Sequence, residues 1–134
     1  MRVLIATDGS ECSYKAVREF LRLMRPVEFH VYLLSVMPLM TVGVDTAFLQ
    51  VEMEREGLSA IHGVRSILDG FSAPVEVELR EGIPADAIIE MAHEKKVDLI
   101  VIGHHGRMGS QEQLLGSTTK SVVQRAPCTV LVGR

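Results

Sequence analysis

The chain is 134 residues long, which is the size of one domain, and we expect residues 1–134 to form a single unit. Its composition, 47% hydrophobic and 23% charged with a formal net charge of −3, excludes a disordered chain and argues against a basic nucleic-acid-binding surface. No apolar run approaches the roughly 18 residues of a membrane span, and the N-terminus lacks the long apolar region of a signal peptide, so we expect a cytoplasmic protein with no membrane partner.

The first elements are a short strand and a helix. Residues 3–6 form a continuous apolar run, which predicts a strand buried on both faces. Residues 7–10 interrupt that run, and Ser10 is a good N-cap for the helix that follows. Apolar residues then recur at helical spacing until Pro26, which cannot continue a helix.

A second strand and a second helix come next. Residues 29–36 predict the strand, and residues 39–47 have no clear period and predict a loop. Residues 48–68 show a helical apolar pattern. Gly57 and Gly63 weigh against an uninterrupted helix there, because glycine costs about 1 kcal/mol relative to alanine in a helix interior.

The second half of the chain repeats the strand–helix alternation. Residues 75–79 alternate strictly between apolar and charged, which is typical of an edge strand with one solvated face. Pro84 suits the first turn of a helix that extends to about residue 95. Residues 99–102 predict a buried strand, a helix ends before Pro127, and residues 129–132 predict the last strand.

The element order βαβαβαβαβ predicts a parallel α/β sheet with helices on both faces. In such sheets a ligand binds beyond the carboxyl ends of the strands, where the strand order reverses. That rule selects two segments, residues 7–10 after strand 1 and residues 103–118 after strand 4.

The segment after strand 4 is rich in glycine. Glycine lets backbone N–H groups approach an anion closely, and Ser117 and Thr119 add hydroxyls near a helix N-terminus, where phosphate is favoured. The segment has neither the GxxxxGK[ST] of a P-loop nor a dinucleotide fingerprint. On these residues alone, a phosphate-binding loop and a plain Gly-rich connection both remain open.

The glycine spacing resembles that of a known family. Gly103, two residues, Gly106, nine residues, Gly116 and Ser117 are similar to the nucleotide-binding signature of the universal stress proteins. Other segments of the chain resemble the same family: residues 5–10, 82–88, 97–103 and 126–132. The resemblance covers nearly the whole chain.

The resemblance implies a fold and a site. The fold is a three-layer, doubly wound α/β sandwich like that of the adenine nucleotide alpha hydrolases, with a five-stranded parallel sheet of order 3-2-1-4-5 and ATP across the divide between strands 1 and 4. Val36 would flank the adenine. The implied nucleotide-binding residues are Ala6, Thr7, Asp8, Val36, Ile102, Gly103, Gly106, Arg107, Gly116, Ser117, Thr118 and Thr119. Asp8 would also help to hold Mg²⁺ through water.

The residues of the Gly-rich segment favour nucleotide binding over nucleotide hydrolysis. Nucleotide hydrolysis needs a positioned water, charge neutralisation and an orienting group, and the Gly-rich segment contains no lysine and no evident nucleophile–base pair. We therefore expect an ATP-binding regulatory protein in which occupancy of the Gly-rich loop acts as a switch. Two alternatives remain open: a slow ATPase, and a stress-response dimer that acts through protein contacts without ATP, favoured by the acidic Glu112.

The last strand predicts self-association. In the order 3-2-1-4-5 that strand is an edge, yet residues 130–132 are apolar on both faces. A bare apolar edge invites pairing with another strand. We expect a homodimer through strand 5 (about residues 128–133), which is also the arrangement usual in the family that the chain resembles.

Overall fold

A computed structural model describes residues 1–24, 28–39, 46–106 and 114–134. Strands and helices alternate along the chain, and each predicted element is present with bounds within two residues of those expected. The elements are β1 (Arg2–Ala6), α1 (Glu11–Leu23), β2 (His30–Met37), α2 (Thr46–Leu68), β3 (Val75–Glu81), α3 (Pro84–Lys95), β4 (Leu99–Gly103), α4 (Ser117–Arg125) and β5 (Thr129–Gly133).

The five strands form one sheet in the order β3-β2-β1-β4-β5, with every neighbouring pair parallel. Ile5 of β1 is in register with Leu33 of β2 on one side and with Val101 of β4 on the other. The predicted order 3-2-1-4-5 is confirmed. β3 and β5 are the two edges, so the edge position predicted for β3 is also confirmed.

Two separate cores lie on the two faces of the sheet. Val3 and Ile5 face a core that α1 and α2 cover with Phe20 and Val64. Leu4 faces the opposite core, together with Ala6, and α3 and α4 cover it. Because successive strand side chains point to opposite faces, a central strand covered on both sides has to be apolar throughout. The result is the three-layer sandwich that the sequence predicts.

α2 runs through both of its glycines without interruption. A Cβ on Gly57 would lie 2.5 Å from Cδ1 of Leu79 on β3, and a Cβ on Gly63 would overlap the ring of Tyr14 on α1. The glycines therefore let α2 pack closely on its neighbours. That packing outweighs the propensity cost of about 1 kcal/mol for each glycine.

The turns next to the site have defined caps. Ser10 is the N-cap of α1, as predicted, and its hydroxyl accepts a hydrogen bond from Ser13 N at 3.2 Å. Pro84 occupies the first turn of α3, where its missing N–H costs nothing.

Three of the predicted features lie outside the described residues. They are Pro26, most of the loop predicted over residues 39–47, and the predicted site residue Arg107. No helix in the described part of the chain combines the length and apolarity that a bilayer crossing requires.

Candidate functional site

A cavity of about 590 Å³ opens at the carboxyl ends of the central strands. It lies where β1 and β4 are neighbours and their connections run to opposite sides of the sheet, which is the position where ligands bind in doubly wound sheets. Every predicted site residue that the structure describes lines this cavity. They are Ala6, Thr7, Asp8, Val36, Ile102, Gly103, Gly106, Gly116, Ser117, Thr118 and Thr119.

The two sides of the cavity differ in chemistry. On the β2 side its walls are mostly apolar, from the ends of β2, α2 and α3, and these apolar residues are Leu34, Val36, Met37, Pro38, Met53, Pro84 and Ile88. On the β4 side the walls are Ile102, His105, three glycines and the hydroxyl-bearing residues in the first turn of α4, which are Ser117, Thr118 and Thr119. One space therefore joins an apolar half to a half rich in hydrogen-bond donors.

A chain of hydrogen bonds holds the turn after β1. Gly9 N donates to Thr7 Oγ1 at 3.2 Å, Thr7 Oγ1 lies 2.9 Å from Ser13 Oγ, and Ser13 Oγ donates to the carbonyl of Ser10 at 2.8 Å. Because Ser13 has one hydroxyl proton and gives it to Ser10, Thr7 is the donor to Ser13. The hydroxyl of Thr7 is thus engaged within the turn, and its role at the cavity is to fix the shape of the wall.

Asp8, an exposed residue in the turn after β1, lines the cavity. Its Oδ1 accepts a hydrogen bond from Ser10 N at 2.9 Å, and a Cβ on Gly106 would lie only 2.6 Å from its Oδ2. The absence of a side chain at Gly106 is what lets the loop after β4 approach this carboxylate. The carboxylate therefore touches both segments that the strand-order rule selects.

Asp8 suits a cation that is bound together with phosphate. Mg²⁺ usually takes one or two carboxylates plus phosphate oxygens and keeps several waters. The described residues hold no cluster of three or more His, Cys, Asp or Glu able to bind a metal. The donor set thus fits a cation shared with a phosphate ligand, and the predicted contact of Asp8 with Mg²⁺ stays a prediction.

The end of β4 is packed tightly against two helices. A Cβ on Gly103 would lie 2.8 Å from backbone atoms of Cys12 and Ser13 in α1. On the other side, Thr119 Oγ1 donates to the carbonyl of Gly103 at 2.7 Å, and Thr119 is buried. The hydroxyl of Thr119 therefore donates its proton within the protein, and this hydrogen bond holds α4 against the end of β4.

α4 directs its first turn at the cavity. Its N-cap is Gly116, whose N–H donates to the carbonyl of His104 at 3.0 Å and which offers no side-chain cap. The N–H groups of a helix's first turn have no partner within the helix and favour an anion. Ser117 and Thr118 add their hydroxyls to this place.

The two adjacent histidines, His104 and His105, differ in environment. His104 is buried, whereas His105 is half-buried and lines the cavity. Nδ1 of His105 donates to the carbonyl of Gly106 at 3.1 Å, and its Nε2 lies 3.5 Å from Sγ of Cys12. His105 is thereby held at the rim of the cavity.

Sequence reasoning missed the contribution of α2. Met53, Glu56 and Gly57 line the cavity although they are far from both predicted segments along the chain. Their placement depends on how α2 lies across the sheet, which a local pattern does not encode. Pro84 was predicted as a helix start, and it also forms part of the wall.

The fold and the cavity define a doubly wound α/β protein with an open cavity at the switch point of its sheet. The chain belongs to the universal stress protein family, whose model matches residues 1–134. A universal stress protein of Methanocaldococcus jannaschii is 30% identical, with 98% of this chain and 80% of the relative covered.

Solved structures agree on the fold. The universal stress protein UspA of Lactobacillus plantarum superposes with a TM-score of 0.85 at 26% identity, over 100% of this chain and 97% of that one. A family member from Arabidopsis thaliana, solved with AMP bound, gives a TM-score of 0.75 at 18% identity, over 98% and 90% of the two chains. At that identity the likeness is evidence for the fold alone.

Proposed function

We propose that this protein is a nucleotide-binding regulator of the universal stress type, which holds ATP with Mg²⁺ in the cavity between β1 and β4. The observation that carries the proposal is the joining of an apolar half and a donor-rich half in one cavity of about 590 Å³. Ligand pockets for small molecules span roughly 300–1,000 Å³, so the space suits a nucleotide.

The apolar half suits the base. Val36, Met37 and Pro38 follow one another at the end of β2, and Met53 of α2 and Ile88 of α3 complete the wall. Adenine is flat and largely apolar, so binding in such a space removes apolar surface from water, which is favourable.

The donor-rich half suits the phosphates. The first turn of α4 supplies N–H groups together with the hydroxyls of Ser117 and Thr118, and helix N-termini favour phosphate. Gly103 and Gly106 also line this half, where their missing side chains let β4 and the loop after it lie against α1 and Asp8. Arg107, whose forked guanidinium matches phosphate oxygens, lies outside the described residues, and its contact with the phosphates stays a prediction.

Regulation follows from where the ligand would bind. ATP in the cavity would contact both ends of the Gly-rich segment, at Gly103 and Gly116, so occupancy would change the surface that this part of the chain presents to a partner. Because a member of the same family from Arabidopsis thaliana was solved with AMP bound, we take an adenine nucleotide as the ligand class. We further propose that the protein acts in the cytoplasm.

Self-association is part of the same proposal. β5 is a sheet edge, and Val130, Leu131 and Val132 are each half-buried there. A second copy that paired with this edge would cover them. Light scattering at micromolar concentration should give the mass of a dimer. The mass of a monomer would contradict the proposed self-association through β5.

Isothermal titration calorimetry with ATP and Mg²⁺ tests the nucleotide site. We expect saturable one-site binding that Gly116→Val abolishes, because a Cβ at Gly116 would already lie 3.0 Å from Cα of His105. Gln124→Ala, at an exposed position of the same helix, is the control and should bind normally. No binding by the unaltered protein at millimolar ATP would refute the proposal.

A further inference from the structure

Ser35 differs from the other buried residues that carry a hydroxyl. In the described part of the chain these buried residues are Thr7, Ser13, Ser35 and Thr119. The hydroxyls of Thr7, Ser13 and Thr119 all form hydrogen bonds within the protein. The hydroxyl of Ser35, a residue that is only 4% exposed, forms none with any of the described residues. It therefore still has a proton to donate and lone pairs to accept with.

The hydroxyl of Ser35 opens onto the cavity. Ser35 is one of the wall residues. Over the residues that the structure describes, no side-chain nitrogen or oxygen is both closed off from solvent and without a hydrogen-bond partner. Because the Ser35 hydroxyl has no such partner, it is not closed off. The cavity that Ser35 lines is the space from which this hydroxyl is reached.

Ser35 lies in the apolar half of the cavity, on the face of the sheet that α2 covers. Successive side chains of a strand point to opposite faces, and Leu33 belongs to the core under α1 and α2. Ser35 shares that face and is in register with Leu79 of β3, which packs closely on Gly57 of α2. Glu56 also lines the cavity from α2, but it already has an interaction within the chain. Ser35 thus places one hydroxyl in a mostly apolar wall.

A hydroxyl in such a wall makes the site selective. A ligand that fills the apolar half displaces water from this hydroxyl. A polar ligand atom at that point restores the hydrogen bond, whereas an apolar surface leaves a buried hydroxyl unsatisfied, which is costly. A site that hydrogen-bonds a polar group of its ligand therefore rejects an analogue without that group much more strongly than an apolar pocket rejects a small change in size.

We infer that Ser35 is a specificity-determining residue of the proposed nucleotide site, and that its hydroxyl forms a hydrogen bond with the polar edge of the base. The inference rests on the proposed function and deepens it. A serine hydroxyl both donates and accepts, so Ser35 selects bases with ring nitrogens or amino groups at this edge over apolar rings of the same shape. The preferred ligand class is therefore a nucleotide with a polar purine base.

Urea denaturation of two matched variants tests whether the Ser35 hydroxyl lacks a partner in the protein. Ser35→Ala and Ser13→Ala remove the same atom from two residues that are each 4% exposed. We expect Ser13→Ala to lower the denaturation midpoint, because the Ser13 hydroxyl donates to the carbonyl of Ser10 at 2.8 Å. Ser35→Ala should leave the midpoint unchanged or raise it. A midpoint that falls equally in both variants would overturn the inference.

Calorimetry with ATP and with indole ribonucleoside triphosphate, each with Mg²⁺, tests recognition of the base. The indole compound keeps the ribose, the phosphates and the shape of the base, but its ring edge has no polar atom. The unaltered protein should bind ATP at least about tenfold more tightly. Ser35→Ala should weaken ATP by about threefold to tenfold, as expected for one hydrogen bond, and should not weaken the indole compound. Ser72→Ala, at an exposed position, is the control and should change neither affinity.

The outcomes separate the inference from the proposed function. If Ser35→Ala weakens ATP and the indole compound equally, the hydroxyl does not contact the base edge and the inference alone is wrong. An unchanged affinity of Ser35→Ala for ATP would refute the inference as well. If ATP does not bind to the unaltered protein, the proposed function is wrong and the inference falls with it.

Discussion

The carboxylate of Asp8 and the backbone of Gly106 lie directly against each other, so that a Cβ on Gly106 would be 2.6 Å from Oδ2 of Asp8. This contact joins the turn after β1 to the loop after β4. Asp8 has little freedom to withdraw, because its Oδ1 accepts a hydrogen bond from Ser10 N at 2.9 Å. The carboxylate of Asp8 and the missing side chain of Gly106 therefore fix the turn after β1 relative to the loop after β4.

Gly106→Ala should displace this contact. The added methyl group pushes either the carboxylate or the loop out of place, and we expect the affinity for ATP and Mg²⁺ to fall by about tenfold, on the scale that misplacement of site groups produces. Calorimetry measures the effect. A double-mutant cycle with Asp8→Ala is the control, since the methyl group should cost less once the carboxylate is gone. Purely additive effects would contradict the contact.

Thr119→Val should destabilise the fold. The substitution keeps the shape but removes the hydrogen bond from the Thr119 hydroxyl to the buried carbonyl of Gly103, which we expect to lower the free energy of unfolding by about 1–3 kcal/mol. Urea denaturation measures it. Thr129→Val, at an exposed position on β5, should stay within about 0.5 kcal/mol. Equal stability of the two variants would show that the bond contributes nothing.

Gly63→Ala should also destabilise the protein, although alanine is the better helix former. The methyl group would overlap the ring of Tyr14, and overpacking a filled contact typically costs about 1–3 kcal/mol. Ser59→Ala, on the exposed face of the same helix, should be neutral or stabilising. A Gly63→Ala variant with a higher melting temperature would mean that α2 does not pack on Tyr14 as described.

The ion pair between Arg80 and Glu94 gives a test that depends on pH. The guanidinium of Arg80 donates to Glu94 at 2.6 Å and holds the pKa of that carboxyl below its ordinary value. A depressed carboxyl pKa stabilises the fold above the ordinary value, and this contribution disappears as the pH falls through the lowered pKa. Arg80→Met should therefore shift the NMR titration of Glu94 upward. An unchanged titration would rule out the pairing.

Much of the fold follows from local patterns. The doubly apolar runs of β1 and β4 predict covered central strands, and Gly103, Gly106 and Gly116, which the sequence singles out by their spacing, all line the cavity. What the local pattern does not contain is the reason for Gly63, which is a contact with Tyr14 on another helix.

The sequence also could not predict which hydroxyl groups form hydrogen bonds within the protein. Thr7 and Thr119 both line the cavity, but the hydroxyl of Thr7 donates to Ser13 Oγ and that of Thr119 donates to the carbonyl of Gly103. Only the hydrogen-bond partners in the folded structure decide whether a hydroxyl is available to a ligand or stabilises the protein. Glu56 is the converse case, a wall residue whose place depends on the packing of α2.

The central claim is that a nucleotide binds in the cavity between β1 and β4, and amide chemical-shift mapping by NMR tests it most directly. On titration with ATP and Mg²⁺, the amide signals of Gly103, Gly116, Ser117 and Val36 should move together, while those of exposed Glu90 and Ser72 stay in place. Signals that do not move at saturating nucleotide, or that move only far from this cavity, would contradict the account.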